Sequence, residues 1–279
     1  MISLQRHLHS FPFSISTSDH PYRLRSQCPN FRHKKPSLCS AHSISFDERT
    51  SPEEIRKEIK QCYDLINKLG RGVVYLGSSR TSFNHPHYSQ SKELAKEVAL
   101  LLDATSWTGA GPGLMDAAIR GALEARKPVG GFKIAREAGE WSASNFHPYL
   151  PSHSYITCRF FSARKHGLVD AAVRNCMDDR TAVIALPGGL GTLDEIFEIL
   201  SLIQLKRIGS RFPVPFLLMN YDSFYGGLVE FLRVCKEYGT VSEGEVDSLW
   251  KICDNNFEAV RFLRGFYGLS LSHDAFNQQ

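Results

Sequence analysis

The chain has 279 residues, 42% of them hydrophobic and 22% charged, which suits one sizeable core better than two. Its net charge of +4 is uneven: residues 1–46 hold six basic side chains (Arg6, Arg23, Arg25, Arg32, Lys34, Lys35) against the single acid Asp19, leaving 27 basic and 28 acidic residues for the rest. A body this close to neutral argues against a nucleic-acid surface, which needs clustered basic charge, and no run approaches the roughly 20 apolar residues of a membrane helix.

Residues 1–46 contain ten serines and scattered prolines and show no sustained periodicity. The segment reads as a cleavable transit peptide, Ser- and Arg-rich and acid-poor, cut between about 39 and 51; a disordered basic tail is the alternative. Without an Arg-studded amphipathic helix the expected address is the chloroplast stroma, ahead of mitochondrion or cytosol. Of seven cysteines, Cys28 and Cys39 fall in this segment. Cys62, Cys158, Cys176, Cys235 and Cys253 are far apart with no C-x-x-C spacing, as expected of buried thiols in a reducing compartment. His147, His153 and His166 lack metal-ligand spacing, so neither a metal nor a cofactor is expected.

The body, 52–268, reads as one domain, with 269–279 as a tail. Ile55, Ile59, Cys62, Ile66 and Leu69 form the apolar stripe of a helix over 52–69, which Gly70-Arg-Gly72 ends. A buried strand over 73–76 leads into the loop Gly77-Ser-Ser-Arg80. A helix over 88–102 (Leu94, Val98, Leu101) and a weak strand over 104–107 follow. The loop Thr108-Gly-Ala-Gly-Pro-Gly113 then opens, through Pro112, a helix over 114–125. A strand over 129–134 precedes a loop-like stretch to 151 that holds Trp141, Phe146 and Tyr149. A strand over 155–158 and a helix over 160–176 come next. The apolar run from Ala182 to Leu186 has the pattern of a strand buried on both faces. It breaks into Pro187-Gly-Gly-Leu-Gly-Thr192, and Leu193, Ile196, Phe197, Leu200 and Ile203 then fall at helical spacing. A strand over 214–219 and helices over 224–238 and 255–263 complete the alternation.

Strands and helices alternating in this way predict an α/β fold, a Rossmann-like doubly wound parallel sheet with helices on both faces. Ligands in such sheets bind beyond the carboxyl ends of the strands. Three glycine loops are expected there: Gly77, Ser78, Ser79 and Arg80; Thr108, Gly109, Gly111 and Gly113; and Pro187, Gly188, Gly189, Gly191 and Thr192. Backbone N–H groups at a glycine turn and a helix N-terminus suit an anion, so a phosphate-bearing small ligand is expected. Gly109, Gly111 and Gly113 give G-x-G-x-G after the second strand, not G-x-G-x-x-G after the first, and there is no G-x-x-x-x-G-K-[ST] run. A mononucleotide fits better than a dinucleotide.

Pro187-Gly-Gly-Leu-Gly-Thr-Leu-Asp-Glu195 resembles the PGGxGTxxE signature of the Lonely-guy family, cytokinin-activating phosphoribohydrolases once misnamed lysine decarboxylases. Phe160-Phe-Ser-Ala-Arg-Lys165 is similar to that family's Arg-Lys motif, with the Phe-Phe pair of its longer branch, here in a plastid-type member. Thr108-Gly-Ala-Gly-Pro-Gly-Leu-Met-Asp-Ala-Ala118 resembles its TGGGPGIMEAA loop, with Ala110 in place of a glycine and Asp116 in place of a glutamate. The resemblance runs from about 73 to 232. It implies hydrolysis of the N-glycosidic bond of a nucleoside 5'-monophosphate to free base and ribose 5-phosphate by a homodimer, with Glu195 and Arg164 catalytic and Lys165 beside them at the substrate. Such a reaction builds oxocarbenium character on the ribose, which a carboxylate stabilises. Glu198 lies on nearly the same helix face as Glu195 and is a candidate for holding water or ribose hydroxyls.

Plainer readings stand beside these. Thr192-Leu-Asp-Glu195 is also a capping box, in which Glu195 would bond back to the N-cap backbone. Arg164 and Lys165 would then be a solvated helix face, Arg80 and Arg159 structural charges, and Phe160 and Phe161 core more readily than base-stacking. The alternative function is a non-catalytic nucleotide or molybdopterin carrier of the same fold. A decarboxylase would need pyridoxal phosphate on a lysine that nothing marks.

Overall fold

The computed structural model describes residues 51–134, 136–137, 140–141 and 150–269. The expectations for 1–46, for Phe146 and Tyr149 and for the tail beyond 269 lie outside the described residues. Seven strands form one parallel sheet: β1 (Gly72–Leu76), β2 (Thr105–Thr108), β3 (Val129–Ile134), β6 (Tyr155–Cys158), β7 (Ala182–Ala185), β8 (Phe216–Met219) and β9 (Lys251–Cys253), in the order β6-β3-β2-β1-β7-β8-β9. The chain builds outward from β1 through β2, β3 and β6, then returns to the other side of β1 with β7. That reversal makes the carboxyl ends of β1 and β7 the switch point at which doubly wound sheets bind ligands.

Side chains on each strand alternate between two cores. Val74 and Leu76 of β1 join Trp107, Phe132, Val183 and Ala185 beneath α1 (Pro52–Leu69), α4 (Phe161–Ala172) and α5 (Leu190–Gln204), with α6 (Gly226–Glu237) packed partly buried at their edge. Val73 and Tyr75 join Ile184 and Leu217 beneath α2 (Pro86–Leu102), α3 (Leu114–Glu124) and α7 (Asn256–Phe266). Helices therefore cover both faces, as the alternation requires. Trp107 stacks on Phe132 with ring centroids 5.1 Å apart and donates to the Gly70 carbonyl at 3.1 Å. Truncating either ring should cost about 3–5 kcal/mol.

Some local readings change. The helix expected over 160–176 stops at Ala172. Buried Arg174 turns inward to the carbonyls of Asp179, Met177 and Pro213 at 2.8–3.0 Å, and the Asp179 carboxylate accepts from the N–H groups of Asn175 and Cys176 at 2.6 and 3.1 Å. Those bonds replace helical ones. The strand expected from 214 starts at Phe216, after Pro213 and Pro215, which have no N–H to give a ladder. Strand β9 was not expected, and the stretch after β3 contains a two-stranded hairpin, β4 (Arg136–Glu137) with β5 (Glu140–Trp141).

Candidate functional site

The loop after β1 is stapled between the other two. Ser78 N–H donates to the Pro187 carbonyl at 3.0 Å, and the Ser78 carbonyl accepts from Leu114 N–H at 2.9 Å. A cleft of about 390 Å³ opens above them, lined by Gly77, Ser78, Ser79 and Arg80 from the first loop and Gly189, Leu190, Gly191, Thr192 and Glu195 from the third; Met115, Ile134, Phe161 and Arg164 complete it. Helix α5 begins earlier than expected. Its N-cap is Gly189, and its first intrahelical bond runs from Leu193 N–H to the Gly189 carbonyl at 2.9 Å. The N–H groups of residues 190–192 thus precede the helical ladder, at the positive end of the helix dipole and at the cleft.

This start rules out the capping box: Thr192 lies inside the first turn, and Glu195 turns to Arg164 instead of the backbone. Arg164 and Glu195, 4% and 6% exposed, form an ion pair through Arg164 Nη1 and Glu195 Oε1 at the floor of the cleft. Arg164 Nε donates to the Phe132 carbonyl at 3.0 Å. A buried pair of this kind is retained only with such further bonds, because each charge alone is costly out of water.

The helix that carries Arg164 is anchored from a distance. The Glu58 carboxylate of α1 accepts from Arg159 N–H at 3.0 and 3.1 Å and from Phe160 N–H at 3.0 Å, capping α4 from outside. Sequence reasoning missed Glu58, as it missed Met115, Ile134 and Leu190 in the cleft. The Phe-Phe pair divides: Phe160 is core, while Phe161 lines the cleft with the Arg164 guanidinium 5.5 Å from its ring centroid.

Lys165 and Glu198 stand apart from the cleft lining. Lys165 Nζ lies 3.0 Å from both Asp194 Oδ2 and Glu198 Oε2, tying α4 to α5 beside the buried pair. Burial pulls its ammonium down, but Asp194 and Glu198 together outweigh that and hold it above the usual lysine value. The lysine therefore stays charged across neutral pH, and its contribution is lost as pH rises through the raised value.

The second loop also lies outside the lining, apart from Met115 just beyond it. Thr108 is buried and its hydroxyl accepts from Ala110 N–H at 2.9 Å, at the start of a turn in which Ala110 has φ +50°. A Cβ on Gly109 would sit 2.0 Å from an Arg164 guanidinium nitrogen, and one on Gly113 (φ +69°) would sit 2.3 Å from the Ser78 carbonyl. A Cβ on Gly188 would meet Thr192 Oγ1 at 2.2 Å, whereas one on Gly189 or Gly191 would meet nothing within 4 Å. Pro187 serves through its carbonyl; Gly111 is placed with its loop.

Fold and site together define a Rossmann-like α/β protein with a small-ligand cleft at the sheet's switch point, floored by a buried arginine–glutamate pair. The family model described as "Possible lysine decarboxylase" matches residues 115–263, more than half of the chain, and the chain belongs to that family. Among curated proteins it is similar to cytokinin riboside 5'-monophosphate phosphoribohydrolase LOG3 of Arabidopsis thaliana, 39% identical over 61 residues, 22% of this chain and 26% of that one. A probable enzyme of the same description from Oryza sativa subsp. japonica, LOGL5, is 43% identical over 61 residues, covering 22% and 23%. The chain thus spans about a quarter of the length of the curated relatives it matches. Among solved structures, the molybdenum cofactor carrier protein of Chlamydomonas reinhardtii is 16% identical over 71% of this chain and 99% of its own, with a TM-score of 0.46.

Proposed function

We propose that the protein hydrolyses the N-glycosidic bond of an adenine nucleoside 5'-monophosphate, plain or isoprenoid-substituted, to free base and ribose 5-phosphate. The observation that carries this reading is the buried Arg164–Glu195 pair at the floor of a cleft whose wall is the N-terminus of α5. The cleft lining combines two chemistries. Gly189, Gly191, Thr192 and Arg80 supply N–H groups, a hydroxyl and a cation to the 5'-phosphate, while Met115, Ile134 and Phe161 offer an apolar wall to a planar base. The ribose then lies over Glu195. As the bond to the base breaks, positive charge on the ribose is stabilised by the carboxylate, which also orients the attacking water. Arg164 holds that carboxylate in place, and phosphate binding energy fixes the reacting bond over it.

The family's description points to a decarboxylase, whose pyridoxal phosphate needs a lysine amine. Among the described residues no lysine lines the cleft, so the side chains present do not fit that cofactor. We also propose that the protein is a homodimer, a reading supported by Leu190, 87% exposed at the cleft, and by Leu205 just after α5 and Phe231 on α6, both exposed; light scattering showing a monomer at micromolar concentration overturns it. The acid-poor segment 1–46 supports chloroplast import.

The deciding experiment incubates the purified chain with adenosine monophosphate and its isopentenyl derivative and follows free base by chromatography. Release from the monophosphates and far slower release from the nucleosides is the expected result. Binding of the nucleotides without release of base makes the protein a carrier instead.

A further inference from the structure

Asp116, singled out in the second glycine motif, does not line the cleft. It lines a separate cavity of about 520 Å³ between α2 and α3, together with Ser79, Phe83, Tyr88, Lys92 and Arg120. Each helix contributes a pair one turn apart: Tyr88 and Lys92 from α2, Asp116 and Arg120 from α3. Asp116 is buried, 8% exposed. Its Oδ2 accepts from the Tyr88 hydroxyl and, at 2.9 Å, from Arg120 Nε. Burial, and then this carboxylate, push the Tyr88 phenol above its usual range, which keeps it a donor. Lys92 stands at the rim, 2.6 Å from Glu124 in a pair whose side chains are 36% and 45% exposed, so it can exchange that partner at little cost. Phe83 also lines the cavity and is 74% exposed.

We propose that this cavity is a second small-molecule site and that it takes a phosphorylated sugar. A hydrocarbon occupant would offer no polar contact to a lining that carries a carboxylate, a phenol and two cations. A simple cation would meet Lys92 and Arg120, and a bare anion would meet Asp116. A sugar phosphate answers each group: its hydroxyls donate to the carboxylate, its phosphate takes Lys92 and Arg120, and the exposed Phe83 ring covers its apolar face. Ser79 lines both this cavity and the cleft, so an occupant here stiffens the wall of the site where the nucleotide is placed.

The test is a calorimetric titration of the full chain with ribose 5-phosphate. Gly191→Leu directs a side chain into open space at the cleft and leaves the second cavity untouched. That variant should still bind one ribose 5-phosphate per chain, and adding Lys92→Ala and Arg120→Ala should weaken binding at least tenfold, while Arg80→Ala should not. In the parent the same pair of substitutions should remove one of two sites, which covers the case of Gly191→Leu failing to fold. The absence of any site that the Lys92→Ala and Arg120→Ala pair removes, or inorganic phosphate binding as tightly as ribose 5-phosphate, overturns the proposal; a single parental site that the pair removes supports it and counts instead against phosphate binding in the cleft. The titration reads binding and not turnover, so its outcome is independent of whether base is released.

Discussion

Loops 108–113 and 187–192 look alike as strings of glycine, yet the fold uses them for opposite purposes. In the first, the missing side chains make room for the protein itself: the Arg164 guanidinium occupies the space beside Gly109, and the Ser78 carbonyl occupies the space beside Gly113. In the later loop, Gly189 and Gly191 face open space at the cleft. Glycine thus marks close approach in both places, to a protein group in one and to room for a ligand in the other. The loop that looked like a second phosphate cradle is the seat of the residue expected to act on the substrate.

If the first loop exists to seat Arg164, the largest effects should come from the pair that the seat holds. Glu195→Gln keeps the volume but removes the charge that Arg164 faces, and turnover should fall by roughly 10²–10⁴-fold. Stability should fall as well, by about 3–5 kcal/mol at most, because the buried guanidinium loses its counter-charge; circular dichroism fixes a temperature at which the variant is folded before rates are compared. Arg164→Lys loses the planar fork that reaches both the Phe132 carbonyl and Glu195, and should fail similarly. Parental rates in both variants would remove these residues from the chemistry.

Next in size are substitutions that divide the two loops. Gly113→Ala puts a side chain at φ +69° against a backbone carbonyl, which cannot yield as a flexible side chain can, and should cost about 2–4 kcal/mol in urea unfolding. Gly191→Ala should do the reverse. Inside a helix an alanine stabilises by up to about 1 kcal/mol, and with nothing within 4 Å of its Cβ the fold has no objection. Its cost should appear as a KM raised about tenfold or more, with little change in unfolding midpoint. A destabilised Gly191→Ala with unaltered KM would place that glycine in the same class as Gly113.

These loops also show how far the residues alone could be read. Helix α1 and strands β3 and β6 begin and end where the apolar pattern places them, because periodicity reports burial directly. Glu195, Arg164 and the third loop were legible from their motif. What the pattern could not carry is identity at a distance. Glu58 caps α4 across a separation of 101 residues, and nothing in its own helix distinguishes it from neighbouring surface glutamates. Strand β9 is three residues long at a sheet edge, too short for any period. The end of α4 depended on polar groups met there, Asp179 and Arg174, and the direction of the Glu195 side chain depended on Arg164, 31 residues away.

The smallest expected effect concerns Ala110, held at φ +50° in the first loop, a conformation that costs an alanine about 1–2 kcal/mol. Ala110→Gly relieves that strain but frees the unfolded chain and deletes a buried methyl, losses of about 0.5–1 kcal/mol each, so the net change should stay below about 1 kcal/mol. The single variant says little, but its partner makes it informative. A Cβ on Gly131 would lie 2.7 Å from the Ala110 Cβ, and the next nearest atom, the Thr108 carbonyl oxygen, is 3.4 Å away. Gly131→Ala should therefore destabilise the parent, while the same change in the Ala110→Gly background should meet only ordinary contacts. The two methyl groups compete for one space, and the cycle should show a coupling of about 1–3 kcal/mol in favour of the double variant over the sum of the singles. Additive effects would mean that the loop shifts freely to make room, and a loop that shifts freely is no seat for Arg164.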